Sequence, residues 1–137
     1  MPIFSDESKK QLATCHPELQ LLFNEVIKYF DCKVLEGYRN RLDQEKAFDS
    51  GNSKLHYPFG NHNKIPSQAV DVSPYPVPSW NSSKDFIYFA GKVMGIAAIL
   101  YDQGKMTHHV RYGGDFNMNQ MVTDSTFFDG VHFELLM

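Results

Sequence analysis

Leu19, Leu22, Phe23, Val26, Ile27 and Phe30 recur at intervals of three and four residues. That period puts them on one face of a helix, which His16 and Pro17 start, since proline is tolerated in a helix's first turn. A shorter helix precedes it, capped by Ser5 and running to about Thr14. Residues 33–38 then read as a short strand, and residues 41–49 as a helix closed by Gly51. Residues 50–68 show no period and are rich in Gly, Asn, Ser, Pro and His. A loop of that length is more often functional than passive. Residues 69–72 predict a strand, followed by a proline-rich turn over 74–78. Ser82 and Asp85 form a capping box for a long helix to about Gln103, stopped by Gly104. Its Gly91 and Gly95 are expected to pack closely against a neighbour within a soluble fold. Strands over 109–112 and 131–136 complete an α+β order. The expected architecture is one domain over residues 1–137, a small antiparallel sheet with flanking helices.

Composition narrows the classes. The 137 residues are 42% hydrophobic and 21% charged, enough for a compact core without staples. A formal charge of −3 with no basic block argues against nucleic acid as the main partner. Cys15 and Cys32 belong to no C-x-x-C pair and are expected as reduced, packed thiols. The most apolar helix, residues 86–101, contains Lys92 and has a one-sided stripe, so no membrane span is expected. Residues 1–7 lack the basic and apolar regions of a secretory signal. The chain is therefore expected in the cytoplasm of its producing cell, as a monomer, with export needing outside help.

Two clusters carry the chemistry. In Asp129-Gly130-Val131-His132 a carboxylate precedes a strand histidine by three residues; upstream, Asn61-His62-Asn63 leads through Ser67 and Ala69 to Asp71. A hydrolytic zinc site needs three protein ligands and an open position, and it activates a water. It also needs a carboxylate to move the water's proton and a donor facing the developing oxyanion. His62, Asp71 and His132 are the Zn²⁺ ligand candidates, and Asp129 is the acid/base candidate. Arg39 is the candidate for polarising the carbonyl or holding a substrate carboxylate. Each has a structural alternative: a half-buried strand histidine for His132, a turn cap for Asp71, an exposed loop position for His62. Asp129 could instead belong to a turn with Gly130, and Arg39 to a surface pair with Asp43. His108 and His109 are adjacent strand residues and cannot both line one site. His16 is a helix-start residue. Asp115 is a candidate support for a ligand or for Arg39. Tyr75, Trp80, Tyr112 and Phe116 could wall a peptide groove, with core packing as the alternative for each.

The segments Glu36-Gly37-Tyr38-Arg39, residues 66–75, Arg111-Tyr112-Gly113-Gly114-Asp115-Phe116 and residues 129–135 resemble those of the VanY/VanX D-Ala-D-Ala peptidase group of zinc peptidases. Within that group the chain looks most like phage endolysins of the L-alanyl-D-glutamate peptidase type. The likeness runs in order over nearly the whole chain, including residues 10–13 and 16–19. It implies a hedgehog/DD-peptidase-like fold around one Zn²⁺ and cleavage of the peptide stem of bacterial peptidoglycan. It also implies a lysis enzyme made in the host bacterial cytoplasm that reaches the wall through a holin. The carried-over roles are His62, Asp71 and His132 for metal, and Asp129 and Arg39 for catalysis.

One departure stands out. The group's motif S-x-H-x-x-G-x-A-x-D sets the metal histidine seven residues before the metal aspartate, and here that position is Lys64. His62 lies nine residues before Asp71, which requires a loop two residues longer; His56 is the reserve. Ser67 replaces the motif glycine, while Ala69 and Asp71 keep their places. Two alternatives follow: a D,D- or L,D-carboxypeptidase of the cell wall, and a non-catalytic binding protein with a degraded metal site.

Overall fold

The computed structural model describes residues 2–123 and 127–137. Its elements are α1 (Asp6–Leu12), α2 (Pro17–Val26), β1 (Cys32–Glu36), α3 (Arg41–Asp49), a 3-10 turn (Asn61–Asn63), β2 (Ala69–Pro74), α4 (Ser83–Asp102), β3 (Val110–Tyr112) and β4 (His132–Leu135). The α+β expectation holds. Boundaries move slightly: β1 starts and ends earlier than the pattern predicts, β2 runs two residues further, and His109, Val131 and Leu136 fall outside their strands.

Four strands form an antiparallel sheet in the order β1-β2-β4-β3. Alternation along each strand divides its residues between two faces. Val34, Val70, Val72, Phe133, Leu135, Val110 and Tyr112 face the core, where α2 and α4 contribute Leu19, Leu22, Phe23, Val26, Phe89 and Val93. Phe133 is fully buried and edge-on to Phe23, with ring centres 5.4 Å apart. Burying a side chain of that size contributes about 1.5–3 kcal/mol.

The polar face follows from the same register. Asp71 pairs with His132, Ala69 with Glu134, and Arg111 with Glu134 across the ladder. On the β1 side the register shifts between Val34 and Glu36, so Val34 pairs with Val72 and Glu36 with Asp71. This bulge turns Glu36 onto the face carrying Asp71, the re-aiming for which bulges are used near functional sites.

Helix starts largely follow the sequence. Ser5 accepts from the Ser8 amide at 3.2 Å, His16 Nδ1 from Glu18 N at 3.0 Å, and Asn40 from Asp43 N at 2.9 Å. Gly51 closes the end of α3 at φ 83°. Two expectations fail. Ser82 caps no backbone amide of α4, because its hydroxyl hydrogen-bonds the Asp85 carboxylate instead. Gly91 and Gly95 do not pack closely; a Cβ at either would meet nothing within 4 Å. Both instead line an open apolar groove between α4 and β3. Cys15 and Cys32 are buried free thiols, and burial pushes each up to about 12. No helix among the described residues is long and apolar enough to cross a membrane.

Candidate active site

His62, Asp71 and His132 converge on one point. His62 Nε2 lies 3.1 Å from Asp71 Oδ1 and 3.3 Å from His132 Nδ1, and His132 Nδ1 lies 3.3 Å from Asp71 Oδ1. Asp71 and His132 get there as a cross-strand pair on the polar face. His62 comes from the 3-10 turn inside the long loop. Lys64 is exposed and caps the end of that turn, and Gln68 N closes the loop onto Asn61 O at 3.0 Å. The two extra residues relative to the motif are thus taken up beyond the histidine, and His62 is buried. His56 lies elsewhere: exposed, it bonds Glu45 at 2.7 Å and stacks on Phe48.

The partners behind the imidazoles set which nitrogen is free. His62 Nδ1 is 2.7 Å from the carbonyl of Gly37, which can only accept, so Nδ1 donates there and Nε2 is the nitrogen turned toward Asp71 and His132. A side chain at Gly37 would run into Thr14 and the Gln11 carbonyl, which accounts for glycine there. His132 Nε2 is 2.8 Å from Glu134 Oε1, leaving Nδ1 toward Asp71. Glu134 is itself held by Arg111 Nη2 at 2.9 Å and by Asn61 Nδ2 at 2.6 Å. Burial opposes the Glu134 charge, but His132 and Arg111 outweigh it and keep the carboxyl below its ordinary value.

Two imidazoles and a carboxylate meeting at one point settle their charges together. Burial works against a charged His132, yet its bonds to Asp71 and Glu134 prevail and raise it to about 10. Burial likewise opposes the Asp71 charge, and the two imidazoles hold that carboxyl far below the usual range. The same convergence could hold a metal ion.

Asp129 stands beside this point, with Oδ2 4.0 Å from His132 Nδ1. Its backbone is fixed by Asp129 N to Gly113 O at 2.9 Å and Gly113 N to His132 O at 2.7 Å. A Cβ on Gly113 would strike the Asp129 carbonyl, so the close approach requires glycine. Burial first, then the neighbouring Asp71 charge, push the Asp129 carboxyl up to about 6, against the pull of His132, His62 and Arg39.

Arg39 lies on the other side. Its Nε reaches Glu36 Oε1 at 2.7 Å and its Nη1 reaches Gln44 Oε1 at 3.1 Å. Nη2 is 2.5 Å from Glu36 and 3.5 Å from Asp71 Oδ2. Its partners are therefore Glu36 and Asp71, and the alternative surface pair with Asp43 is not among them.

The loop over 50–68 is ordered by amides that residue type alone does not flag. Buried Gln44 donates to Ser53 Oγ at 2.9 Å and to Leu55 O at 2.7 Å. Asn63 donates to Arg39 O at 2.9 Å, and Arg39 N donates to His62 O at 2.8 Å.

Other expectations are corrected. Asp115 supports neither a ligand nor Arg39; its Oδ2 accepts from Gln120 N at 2.8 Å. That supporting position belongs to Glu134 and Arg111, and the His-x-Glu alternation of β4, which puts residues 132 and 134 on one face, was the available signal. His108 bonds Glu18 at 2.6 Å and His109 stacks on Tyr101, both away from the site. Of the four flanking aromatics, Trp80 lines the cleft, stacked on Phe86 with centroids 5.3 Å apart. Tyr112 is buried and donates to Gly130 O, Phe116 lies 5.8 Å from the His132 ring, and Tyr75 is exposed. Phe127 and Phe128, which the sequence did not single out, join Trp80 in the wall. The cleft holds about 980 Å³ and reaches Arg39, Asp71 and Asp129.

The family model of the phage L-alanyl-D-glutamate peptidases matches residues 2–136. The chain belongs to this family. The L-alanyl-D-glutamate peptidase of Escherichia phage T5 is 28% identical over 146 aligned positions, covering 97% of each chain. Among solved structures, the Serratia marcescens L-Ala D-Glu endopeptidase ChiX has the same fold, with a TM-score of 0.70 and 24% identity. That match covers 98% of this chain and 90% of the other. All five candidate residues fall within the span that the family model matches.

Proposed function

We propose that this member of the family is a zinc endopeptidase that hydrolyses the L-Ala–D-Glu amide of peptidoglycan stems, with His62, Asp71 and His132 as the zinc ligands. The observation that carries the reading is the convergence of three donor atoms 3.1–3.3 Å apart beside Asp129, with Asp71 and Asp129 lining a cleft. Zinc bonds of about 2.0–2.1 Å in a tetrahedron place neighbouring donors about 3.3–3.4 Å apart, so the residues fit the ion with little movement. The ion would supply Lewis acidity, polarising the scissile carbonyl and acidifying a water.

The chain's own groups carry the protons and the charge. Asp129 accepts the proton of the attacking water as the new C–O bond forms. It returns that proton to the departing D-Glu nitrogen as the C–N bond breaks. Arg39, braced by Glu36 and Gln44, brings positive charge to the developing oxyanion and holds the second oxygen of Asp71. His132 keeps its orientation through Glu134, and His62 through the Gly37 carbonyl. Trp80, Phe86, Phe127 and Phe128 supply an apolar wall for the peptide. The setting we infer is phage lysis by a monomeric single-domain enzyme that leaves the host cytoplasm through a holin.

The test joins zinc content with mass spectrometry of digested peptidoglycan. One zinc per chain and stems with a new N-terminal D-Glu are expected. Release of free D-Ala would replace the reading with a carboxypeptidase, and absence of both zinc and cleavage would overturn it.

A further inference from the structure

Among the described residues two cations line the cleft, Arg39 and Lys46, and they differ in what already holds them. Arg39 is already held in place by Glu36, Gln44 and Asp71 before any substrate arrives. Lys46, in the last turn of α3, is exposed and has no ion-pair partner among the described residues. Its ammonium is a compact point charge on a flexible four-carbon stem, able to follow an anion within the cleft. Lys54 sits instead over the Phe127 ring at 5.2 Å.

The cleft is otherwise acidic: Glu36, Asp43, Asp71 and Asp129 all line it. An ion bound at Asp71 would offset the charge there, and Lys46 is the cation that can meet an incoming anion away from that point. The proposed substrate is anionic at the bond to be cut. D-Glu continues the stem through its γ-carboxyl, which leaves its α-carboxylate on the carbon beside the scissile nitrogen. An ordinary peptide has a neutral amide at that place.

We infer that Lys46 is a specificity residue that binds the free α-carboxylate of the D-Glu at the scissile bond; this rests on the stem-peptide reading above. Arg39 is left to the reacting carbonyl. Lys46 thereby selects this isopeptide-linked stem over α-linked peptides and over stems whose α-carboxylate is amidated.

The experiment compares two synthetic stems, identical except for an α-carboxylate or an α-carboxamide on D-Glu, on wild type, Lys46→Gln and Lys46→Arg. The wild type should prefer the carboxylate. Lys46→Gln should narrow that preference by about 10–100-fold, the size of one charge-assisted hydrogen bond, with the loss in KM on the carboxylate stem. Lys46→Arg should restore most of the preference, and added salt should weaken it in the wild type. An unchanged substrate ratio in Lys46→Gln, or an equal loss on both stems, would overturn the assignment of Lys46 alone. Failure of the wild type to cut either stem would overturn the stem reading and this inference with it.

Discussion

Glu134 never faces the point where the donors converge, yet it determines what His132 presents there. With Nε2 engaged at 2.8 Å, His132 offers Nδ1, and Arg111 and Asn61 keep the carboxylate in place. Glu134→Gln keeps an acceptor but removes its charge. We expect zinc affinity to fall about 10–100-fold, measured by competition with a chromogenic chelator; wild-type affinity would reduce Glu134 to packing. Two further variants separate holding the ion from moving protons. His62→Ala should lose the ion, whereas Asp129→Ala should keep it and lose about 10²–10⁴-fold in turnover. Zinc retained in the first, or substantial activity in the second, would strip that residue of its role. At this scale the imidazoles and carboxylates were legible because few residue types do this chemistry and they flank apolar strands. Gln44, Asn61 and Asn63 were not, since a buried amide that orders a loop has the same letter as one in solvent.

At the scale of elements, the 3.6-residue period located α2 and α4 because each buries one broad face against the other and the sheet. Strand ends were less legible, since pairing partners rather than local pattern decide where a ladder stops: β2 runs on to Pro74 because Cys32 pairs with it. The Ser82-Asp85 motif was misread because its two side chains satisfy each other. The bulge in β1 leaves no local mark either, though it steers Glu36 toward Arg39. One tie between elements was invisible in sequence. Glu18, in the first turn of α2, accepts from the backbone and hydroxyl of Thr107 and from the backbone and ring of His108. Burial opposes its charge, but these four bonds lower its carboxyl from 4.5 to about 2. The tie therefore stabilises the fold fully above pH 4.5 and is lost as pH falls toward 2. Glu18→Gln should cost about 1–2 kcal/mol in urea unfolding at pH 7 and much less near pH 2. An equal cost at both pH values would show that the charge plays no part.

Across the whole molecule, the donors lie at 62, 71 and 132, so an ion bridging them would tie the long loop to the two inner strands of the sheet. An ion that binds only the folded chain stabilises it by about 4 kcal/mol at a thousandfold excess over Kd, which for a chain this size shifts Tm on the order of 10 °C. Calorimetry with and without EDTA should show that shift in the wild type and not in His132→Ala; no shift in the wild type would sever the ion from the fold. β4 also occupies an unusual place, last in chain order yet flanked on both sides within the sheet. The ribosome therefore releases His62 and Asp71 well before the strand that carries His132 and the Asp129 just ahead of it. A nascent chain has a partial set of these groups until β4 slots between β2 and β3, which precede it in the chain. Chain order thus acts as a delay, since the set begun on the long loop and β2 is complete only after β4 has been made and seated.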